Sequence, residues 1–484
     1  MEALIEELKR LIKGKRVLIL GFGREGKATF RRLLQAGGAA KLAIADQREF
    51  SGKEQRELRR VASMPDLHFW IGENYQSRIG EYDLVFRSPG IVLEREPEQY
   101  GTTITSQAEL FLQVYRKQVI GITGTKGKST TTTLLYHVLK ENGIPAVLMG
   151  NIGIPAFDCL EEVTPETVVV FEFSCHQLEY NSCSPHKAIY LNLFEEHLDH
   201  YGTFARYQAA KENIYRHQEP GDVLYCGIQV LPEPGSCAAE IKVAYPYGEY
   251  PENRKNGENE ENEETLISEA CEADIWLEDH VIHYQGETCL VPADRTKLLG
   301  HHNLYDMAIV YAAARELGVT REGFLAALPS YQPLPHRLEY IGTVQKIRFY
   351  DDSISTIGET AIQALDTLPN ADTILIGGMD RGIDYQALIQ YFASEEHPVA
   401  NIILMEATGA RIAEEIRQLE PELAKSGRVR LVAHLEEAVD LAFQVTKPGA
   451  ACVLSPAAAS YGIFRDFEER GRRFQEFVKE REKK

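Results

Sequence analysis

A glycine-rich turn that carries lysine and hydroxyl side chains lies between a short apolar run and a helical pattern. The run at 119–123 reads VIGIT, and Leu134, Leu135, Val138 and Leu139 recur at helical spacing after the turn. The turn consists of Gly124, Thr125, Lys126, Gly127, Lys128, Ser129 and Thr130. Glycines let backbone N–H groups approach an anion, and a helix N-terminus, a lysine and a hydroxyl complete a cradle for phosphate and Mg²⁺. The turn therefore predicts a binding site for the phosphates of a ligand, with a helix that begins at Ser129.

The spacing of this turn departs from the usual GxxxxGK[ST] pattern. The residue five positions before Gly127 is Ile122, and the nearer glycine is Gly124. We interpret the turn as a shortened phosphate cradle. The alternative is an ordinary glycine turn that opens a helix, but Gly-Lys-Ser-Thr at a strand–helix junction favours phosphate binding.

Acidic and imidazole side chains follow two further apolar strands. Glu172 lies near the end of the apolar run TVVVFEF, where a carboxylate would be unfavourable unless it were paired or bound to metal. The group 192–199 (NLFEEHLD), which contains His197, lies at the end of the apolar run KAIYLNLF. Ligands of parallel sheets bind at the carboxyl ends of strands, so we expect both groups beside the phosphate cradle. Carboxylates with phosphate oxygens suit Mg²⁺. His197 would be structural in isolation, but its position makes it a candidate metal ligand.

The first segment of the chain contains the pattern GxGxxG between a strand and a helix. Gly21–Gly26 follow the strand RVLIL, and the next strand, KLAIAD, ends at Asp46, about 20 residues further on, where a dinucleotide-binding domain places its ribose-binding acid. A second turn, which contains Ser88, follows the strand YDLVF. A nucleotide-binding module or an NAD(H)-dependent oxidoreductase is therefore one hypothesis. It leaves the phosphate cradle and Glu172 unexplained.

Polar groups also end strands in the last third of the chain. Arg337 follows a proline-containing hinge, Asp351 and Asp352 end the predicted first strand of this segment, and Arg381 follows the second. Such groups are often only turns or caps, but their recurrence at three positions favours a ligand crevice.

The order of strands and helices predicts an α/β protein with three domains. We expect a Rossmann-like N-terminal domain (1–115), a central P-loop mononucleotide-binding domain with a parallel sheet (116–331), and a doubly wound Rossmann-like C-terminal domain (332–484). An acidic insertion near 249–264 is predicted to interrupt the central domain.

Composition excludes several classes of protein. A net charge of −20 over 484 residues argues against general nucleic-acid binding. No apolar run reaches the roughly 20 residues that span a bilayer, and we do not expect the charged N-terminus to act as a signal peptide. The eight cysteines form no CxxC motif and indicate reduced thiols. We expect a cytoplasmic monomer that acts on small molecules and binds no membrane.

Nine motifs together resemble the Mur ligase family. They occur in the order of the family and span the predicted central and C-terminal domains: GTKGKSTTT, GNIG, FEFSCHQLE, NLFEEHLD, AAKENIY, GHHN, LPHRLE, DDS and LSPAAASY. The resemblance implies that ATP phosphorylates the carboxylate of UDP-N-acetylmuramoyl-L-alanine and that the amine of glutamate attacks the acyl phosphate. The products would be an amide of a peptidoglycan precursor, ADP and phosphate.

The resemblance also implies roles in the ATP and metal sites. Lys128 would stabilise the transferred phosphoryl group, Ser129 or Thr130 would bind one Mg²⁺ with Glu172, and His197 would bind a second. Lys211 matches a lysine that is carbamylated in the family; the residue alone would indicate a solvated helix lysine. The further ATP contacts implied by the resemblance are Asn303, Arg337 and Asp352.

For the first domain the resemblance implies UDP binding rather than dinucleotide binding. The implied contacts to the UDP-substrate are Gly23, Asp46, Gln47, Arg48, Ser88 and Asn151.

The implied glutamate pocket consists of Thr356, Arg381, Ser460 and Phe467. It departs from the family pattern at Ile354, which stands where a lysine is usual. Arg381 could compensate with a bidentate grip on a carboxylate. We expect D-glutamate as the substrate. The alternatives are the branch of the family that adds L-glutamate, which DSIST and GGMDRGIDY also resemble, and another amino-acid ligase of the Mur type or a folate–glutamate ligase.

Overall fold

The computed structural model describes residues 1–64, 66–152, 154–245, 274–298, 300–368, 370–394 and 399–482. The predicted acidic insertion lies outside the described residues. The chain forms two compact units, one of residues 1–296 and 302–331 and the other of residues 297–301 and 332–484. The described residues form three sheets rich in parallel strands, so the predicted α/β class is confirmed. The domain limits after 115 and after 331 stay predictions.

The first sheet is fully parallel and has the strand order β3-β2-β1-β4-β5. Its strands are β1 (Arg16–Leu20), β2 (Lys41–Asp46), β3 (His68–Ile71), β4 (Leu84–Arg87) and β5 (Thr103–Thr105). Its α-helices are α1 (Glu2–Ile12), α2 (Arg24–Ala36), α3 (Gly52–Ala62) and α4 (Gln107–Tyr115). The run β1 is buried at four of its five residues because helices cover both faces of the sheet.

The second sheet has nine strands in the order β14-β13-β12-β11-β10-β9-β6-β8-β7. The strands are β6 (Val119–Thr123), β7 (Ala146–Gly150), β8 (Val168–Glu172), β9 (Lys187–Tyr190), β10 (Val223–Gly227), β11 (Glu240–Tyr245), β12 (Ile275–Glu278), β13 (Val281–Tyr284) and β14 (Glu287–Leu290). The α-helices are α5 (Lys128–Glu141), α6 (Cys175–Leu178), α7 (Leu198–Tyr201), α8 (Phe204–Glu212), α9 (His301–Glu316) and α10 (Arg321–Ala327). Antiparallel pairing joins β12 to β13 and β13 to β14, and all other pairs are parallel.

The third sheet, in the second unit, has the strand order β15-β16-β20-β17-β18-β19. Its strands are β15 (Glu339–Val344), β16 (Ile347–Asp351), β17 (Ala371–Gly377), β18 (Asn401–Met405), β19 (Val429–Val432) and β20 (Ala451–Leu454). Its α-helices are α11 (Gly358–Thr367), α12 (Gln386–Ala393), α13 (Glu406–Leu419), α14 (Pro421–Lys425), α15 (Leu435–Val445) and α16 (Phe467–Glu482). The strand that ends at Asp351 was predicted to be the first of this segment, and that prediction was wrong. The half-exposed antiparallel edge strand β15 precedes it.

One hydrophobic core joins the first sheet to the second. Phe111 on α4 is fully buried and packs edge-on against Phe171 of β8, with ring centroids 5.8 Å apart. Phe171 in turn stacks on Phe173 at 4.0 Å. The same core continues from Leu4 on α1 to Leu224 on β10. Burying side chains of both sheets in one core couples their stabilities.

None of the helices in the described part of the chain is both long enough and apolar enough to cross a membrane.

The shared core predicts that Phe111→Ala destabilises both sheets together. Removing a buried phenyl ring should lower the free energy of unfolding by about 3–5 kcal/mol. The two tryptophans report on the sheets separately, since Trp70 lies in β3 and Trp276 in β12. Urea unfolding would be followed by fluorescence in Trp70→Phe and Trp276→Phe backgrounds, and the transition should shift equally in both. A shift seen only through Trp70 would show that the cores are separate; Phe204→Ala, at a ring that is 38% exposed, is the control.

Candidate active site

The glycine-rich turn joins β6 to α5, and its backbone is fixed by an amide side chain. Helix α5 begins at Lys128, one residue before the predicted start. The side-chain oxygen of Asn192 accepts hydrogen bonds from the backbone N–H groups of Thr125 (3.1 Å) and Lys126 (2.8 Å). The Thr125 hydroxyl also lies 2.9 Å from the hydroxyl of Tyr207. Residues after β9 therefore fix the backbone at the beginning of the turn.

Two lysines converge on a single carbonyl of this turn. Lys128 Nζ donates to the carbonyl oxygens of Gly124 (2.9 Å) and Thr125 (2.8 Å), and Lys211 Nζ donates to Gly124 O at 2.6 Å. Lys128 is half-buried, whereas Lys211 on α8 is only 1% exposed. The structure thus brings the predicted carbamylation site to the predicted phosphate cradle.

The environment of Lys211 favours its neutral amine. Burial, together with the positive charges of Lys128 and Lys126, lowers the pKa of Lys211 to about 7 against the opposing effect of Glu196. Lys211 Nζ also lies 5.0 Å from the centre of the Tyr207 ring. The amine of Lys211 therefore loses its proton far more readily near neutral pH than the amine of an exposed lysine does.

Glu172 offers one oxygen for a cation. It ends β8, is fully buried, and lies beside Ile122 of β6 in the parallel register, immediately before the turn. Its Oε1 accepts a hydrogen bond from Asn151 Nδ2 at 2.6 Å, and its buried Oε2 has no hydrogen-bond partner among the described residues. An unsatisfied buried carboxylate oxygen is costly, so the chemistry of this position fits a hard divalent ion such as Mg²⁺.

His197 and Glu196 lie at the end of the loop that follows β9. His197 has a left-handed backbone (φ 58°) and precedes α7, and its Nε2 lies 3.8 Å from Glu196 Oε2. Burial alone would raise the pKa of Glu196, but the cations Lys126, His197, Lys128 and Lys211 outweigh it and hold that pKa at about 2. The carboxylate is therefore ionised, and it balances part of the positive charge around the turn.

Helix α9 approaches the turn closely. A Cβ atom added to Gly127, whose φ is 80°, would lie 2.6 Å from Oδ1 of Asp306. Asp306 is 3% exposed and lies one helical turn after the predicted ATP contact Asn303, which is also buried. The predicted metal ligands Ser129 and Thr130 occupy the first turn of α5, where Ser129 is half-buried and Thr130 is buried.

The predicted UDP-binding residues lie at the carboxyl ends of the first sheet, except Asn151, which is attached to Glu172. Asp46 accepts hydrogen bonds from the backbone of Phe22 (2.6 Å) and Arg48 (2.7 Å), so it joins the loops after β1 and β2. The Ser88 hydroxyl donates to Gly21 O at 2.9 Å. Gly23 caps α2, and both Gly23 and Gln47 are exposed.

Hydrogen bonds and an ion pair connect the first two sheets near these strand ends. Arg87, at the end of β4, donates to the carbonyl oxygen of His176 at 2.9 Å and forms an ion pair with Glu179 at 3.1 Å. Gln177 donates to the Glu25 carboxylate in the first turn of α2 at 2.8 Å. The strand ends that carry the predicted UDP residues are therefore held against α6, the short helix that follows β8.

In the second unit, Asp352 is buried among polar partners. Its carboxylate accepts hydrogen bonds from Ser355 Oγ (2.5 Å), Ser455 Oγ (2.8 Å) and the backbone N–H of Leu338 (3.1 Å). Burial raises the pKa of Asp352 to about 6. The Nε of Arg337 is buried without a hydrogen-bond partner in the described part of the unit.

The four predicted glutamate-binding residues lie at the carboxyl ends of neighbouring parallel strands. Arg381 Nη2 lies 3.5 Å from the carbonyl oxygen of Thr356, which it approaches from the loop after β17. Ser460 is buried in the loop after β20, and Phe467 begins α16, where its carbonyl accepts from Ser353 Oγ at 2.8 Å. The geometry brings Arg381 and Thr356 together at the edge where ligands of parallel sheets bind.

Three contributors to these sites were not predicted individually: Asn192, Tyr207 and Asp306. Asn192 was part of a predicted group, and its position directly after β9 was the available signal. Tyr207 and Lys211 are four residues apart on α8, and Asp306 is three residues after Asn303 on α9, so helical spacing would have paired each with a predicted residue.

Comparison with known proteins gives the same family for the whole chain. The sequence pattern of the Mur ligase middle domain matches residues 122–314. The UDP-N-acetylmuramoylalanine–D-glutamate ligase of Acetivibrio thermocellus is 30% identical over 495 aligned positions, covering 99% of this chain and 99% of its own. The chain belongs to the Mur ligase family. The Symbiobacterium thermophilum enzyme of the same name is 31% identical over 96% of this chain and 98% of its own.

Solved Mur ligases share the fold. The MurF ligase of Thermotoga maritima, solved in complex with ADP, matches with a TM-score of 0.52 at 16% identity and covers 98% of this chain and 96% of its own. At this identity the likeness concerns the fold alone.

The close approach of α9 to the turn predicts that Gly127→Ala weakens ADP binding at least about tenfold, a loss of 1.4 kcal/mol. The new methyl group would collide with the Asp306 carboxylate and displace the turn. The affinity would be measured by calorimetry with ADP. Gly143→Ala is the matched control, because Gly143 has a similar φ of 73° with no atom within 4 Å of the added Cβ. Equal ADP affinity in Gly127→Ala and Gly143→Ala would contradict the phosphate-cradle assignment.

Proposed function

We propose that the protein is an ATP-dependent ligase that joins D-glutamate to UDP-N-acetylmuramoyl-L-alanine in the synthesis of peptidoglycan precursors. The name shared by near-full-length relatives supports the substrates and the enantiomer. The observation that carries the chemistry is the convergence of Lys128 and Lys211 on one carbonyl of the glycine-rich turn, next to the strand that ends at Glu172.

The reaction needs charge neutralisation and positioning more than covalent help from the protein. The carboxylate of the UDP-linked alanine attacks the γ-phosphorus of ATP, and ADP leaves. The amine of glutamate then attacks the acyl phosphate, and the amide forms as inorganic phosphate leaves and the amine loses a proton. Lys128 stabilises negative charge on the transferred phosphoryl group from the first turn of α5.

Divalent ions complete this arrangement. Glu172, with Ser129 or Thr130, would hold one Mg²⁺, and His197 with carbamylated Lys211 would hold a second. The ions would supply neutralisation of phosphate charge. A carbamate at Lys211 converts a buried cation into an anion able to bind metal, and its formation requires the neutral amine that the surroundings of Lys211 favour.

The remaining predicted contacts keep their roles in this proposal. Asn303, Arg337 and Asp352 bind ATP; the residues at the strand ends of the first sheet bind the UDP moiety; Thr356, Arg381, Ser460 and Phe467 bind glutamate. We further propose that the enzyme acts in the cytoplasm as a monomer.

Addition of L-glutamate is the second candidate, and one observation favours it. Ile354 occupies the position of the usual pocket lysine, so Arg381 is the one member of the predicted pocket that carries a positive charge. The deciding assay offers the purified protein ATP, Mg²⁺, UDP-N-acetylmuramoyl-L-alanine and each glutamate enantiomer separately, and measures phosphate release and product mass. We expect turnover with D-glutamate. Turnover with L-glutamate alone would assign the second branch, and turnover with neither would overturn the proposal.

Lys211→Ala should reduce activity at least about a hundredfold, the upper range for losing a group that supports a metal. Formate or acetate should partly restore it, because a small carboxylate can occupy the place of the carbamate. Lys140→Ala, which removes an exposed lysine from α5, should leave the rate unchanged. In addition, ¹³C-bicarbonate should produce a carbamate signal in the NMR spectrum of the parent protein and none in Lys211→Ala. Full activity of Lys211→Ala would exclude the proposed role.

A further inference from the structure

The loop that carries Arg381 crosses the carboxyl end of the third sheet from β17 to α12. Its beginning is attached to the loop after β20, because Met379 N donates to Ala459 O at 2.8 Å. Its end is attached by Tyr385, whose hydroxyl donates to Ala457 O at 2.8 Å. Between these attachments the Asp380 carboxylate accepts from the backbone of Gly382 at 2.9 Å, which closes a tight turn around Arg381. Arg381 itself is exposed.

Arg411 on α13 contacts the loop that carries Arg381 on both sides of that residue. Its Nε lies 2.9 Å from Asp380 Oδ2 in an ion pair, and its Nη2 donates to the carbonyl oxygen of Ile383 at 2.7 Å. The guanidinium lies 4.8 Å from the centre of the Tyr385 ring. Its Nη1 donates to Glu415 at 2.7 Å, so a fourth contact orients the group from its own helix.

We infer that Arg411 is a positioning residue for amino-acid recognition, which holds the turn 380–383 so that Arg381 reaches toward Thr356. This inference rests on the proposed glutamate-binding role of Arg381. A planar guanidinium can bridge a carboxylate and a carbonyl at once, which an ammonium group cannot do in the same geometry. Holding the loop before the substrate arrives removes an ordering cost from binding.

The inference predicts a selective kinetic change. Arg411→Met keeps an aliphatic chain against Tyr385 but removes the contacts to Asp380 and Ile383. The KM for glutamate should rise about tenfold, corresponding to the immobilisation of one or two flexible side chains. The KM for ATP should change little. Arg411→Lys, which retains a charge for Asp380, should lie between Arg411→Met and the parent, and it provides a second test if Arg411→Met folds poorly.

The matched control is Arg417→Met. Arg417 lies on the same helix, and its guanidinium pairs with Glu414 at an exposed position. This variant should retain the parent KM for both substrates, and the thermal midpoints of the two methionine variants would be compared to detect general destabilisation.

A double-mutant cycle with Arg381→Ala tests separately whether Arg381 binds glutamate and whether Arg411 acts through Arg381. If Arg411 acts through Arg381, adding Arg411→Met to Arg381→Ala should raise the KM for glutamate no further. An additive rise, or a parent-like KM in Arg411→Met and Arg411→Lys, would overturn the positioning role. A parent-like KM in Arg381→Ala itself would instead overturn the proposed glutamate pocket.

Discussion

Two lysine side chains donate to one carbonyl oxygen inside the glycine-rich turn, and their charge dominates the electrostatics of the site around it. Lys128 and Lys211 both donate to Gly124 O, and the second of these lysines is almost fully buried. Two positive charges that share one hydrogen-bond acceptor repel each other where water is largely excluded. The ionised Glu196 offsets part of this charge, and the lowered pKa of Lys211 removes another part. A turn with this surplus of positive charge suits a ligand that carries several negative charges.

The parallel sheets explain how residues so distant in sequence come together. In a parallel sheet all strands end at one edge, so Gly124 after β6, Glu172 at the end of β8 and Asn192 after β9 are neighbours. The third sheet repeats the principle with Asp352, Arg381 and Ser460. A buried polar residue at such a position would be unfavourable without hydrogen-bond or ion-pair partners. Residues at the end of the adjacent strand supply these partners.

Strands whose residues are apolar throughout could be predicted from sequence, and several bounds agree with the structure, including β1, β2 and β6. The edge strand β15 and the hairpins β12–β14 were missed because half-exposed edges mix polar and apolar residues without a continuous run. Within the site, the turn and Glu172 could be located because their residue types are unusual at strand ends. The resemblance singled out Lys211 as a modified residue, but its burial was not predicted, and the residue alone indicated a solvated helix lysine. The contacts of Arg411 depend on tertiary packing between α13 and the loop after β17, which sequence spacing does not encode.

The common core of the first two sheets has a consequence for substrate choice. Phe111 packs against Phe171 between the two sheets, and Arg87 binds one strand end to α6. The distance between the first-sheet loops and the glycine-rich turn is therefore fixed by packed side chains. If a sugar nucleotide is bound by the first-sheet loops and its carboxylate reacts at the glycine-rich turn, this fixed distance sets the length of the acceptor that can react. An acceptor shorter or longer by one amino acid would place its carboxylate away from the glycine-rich turn. The protein would then select acceptors by length without a side chain that contacts the additional or missing amino acid.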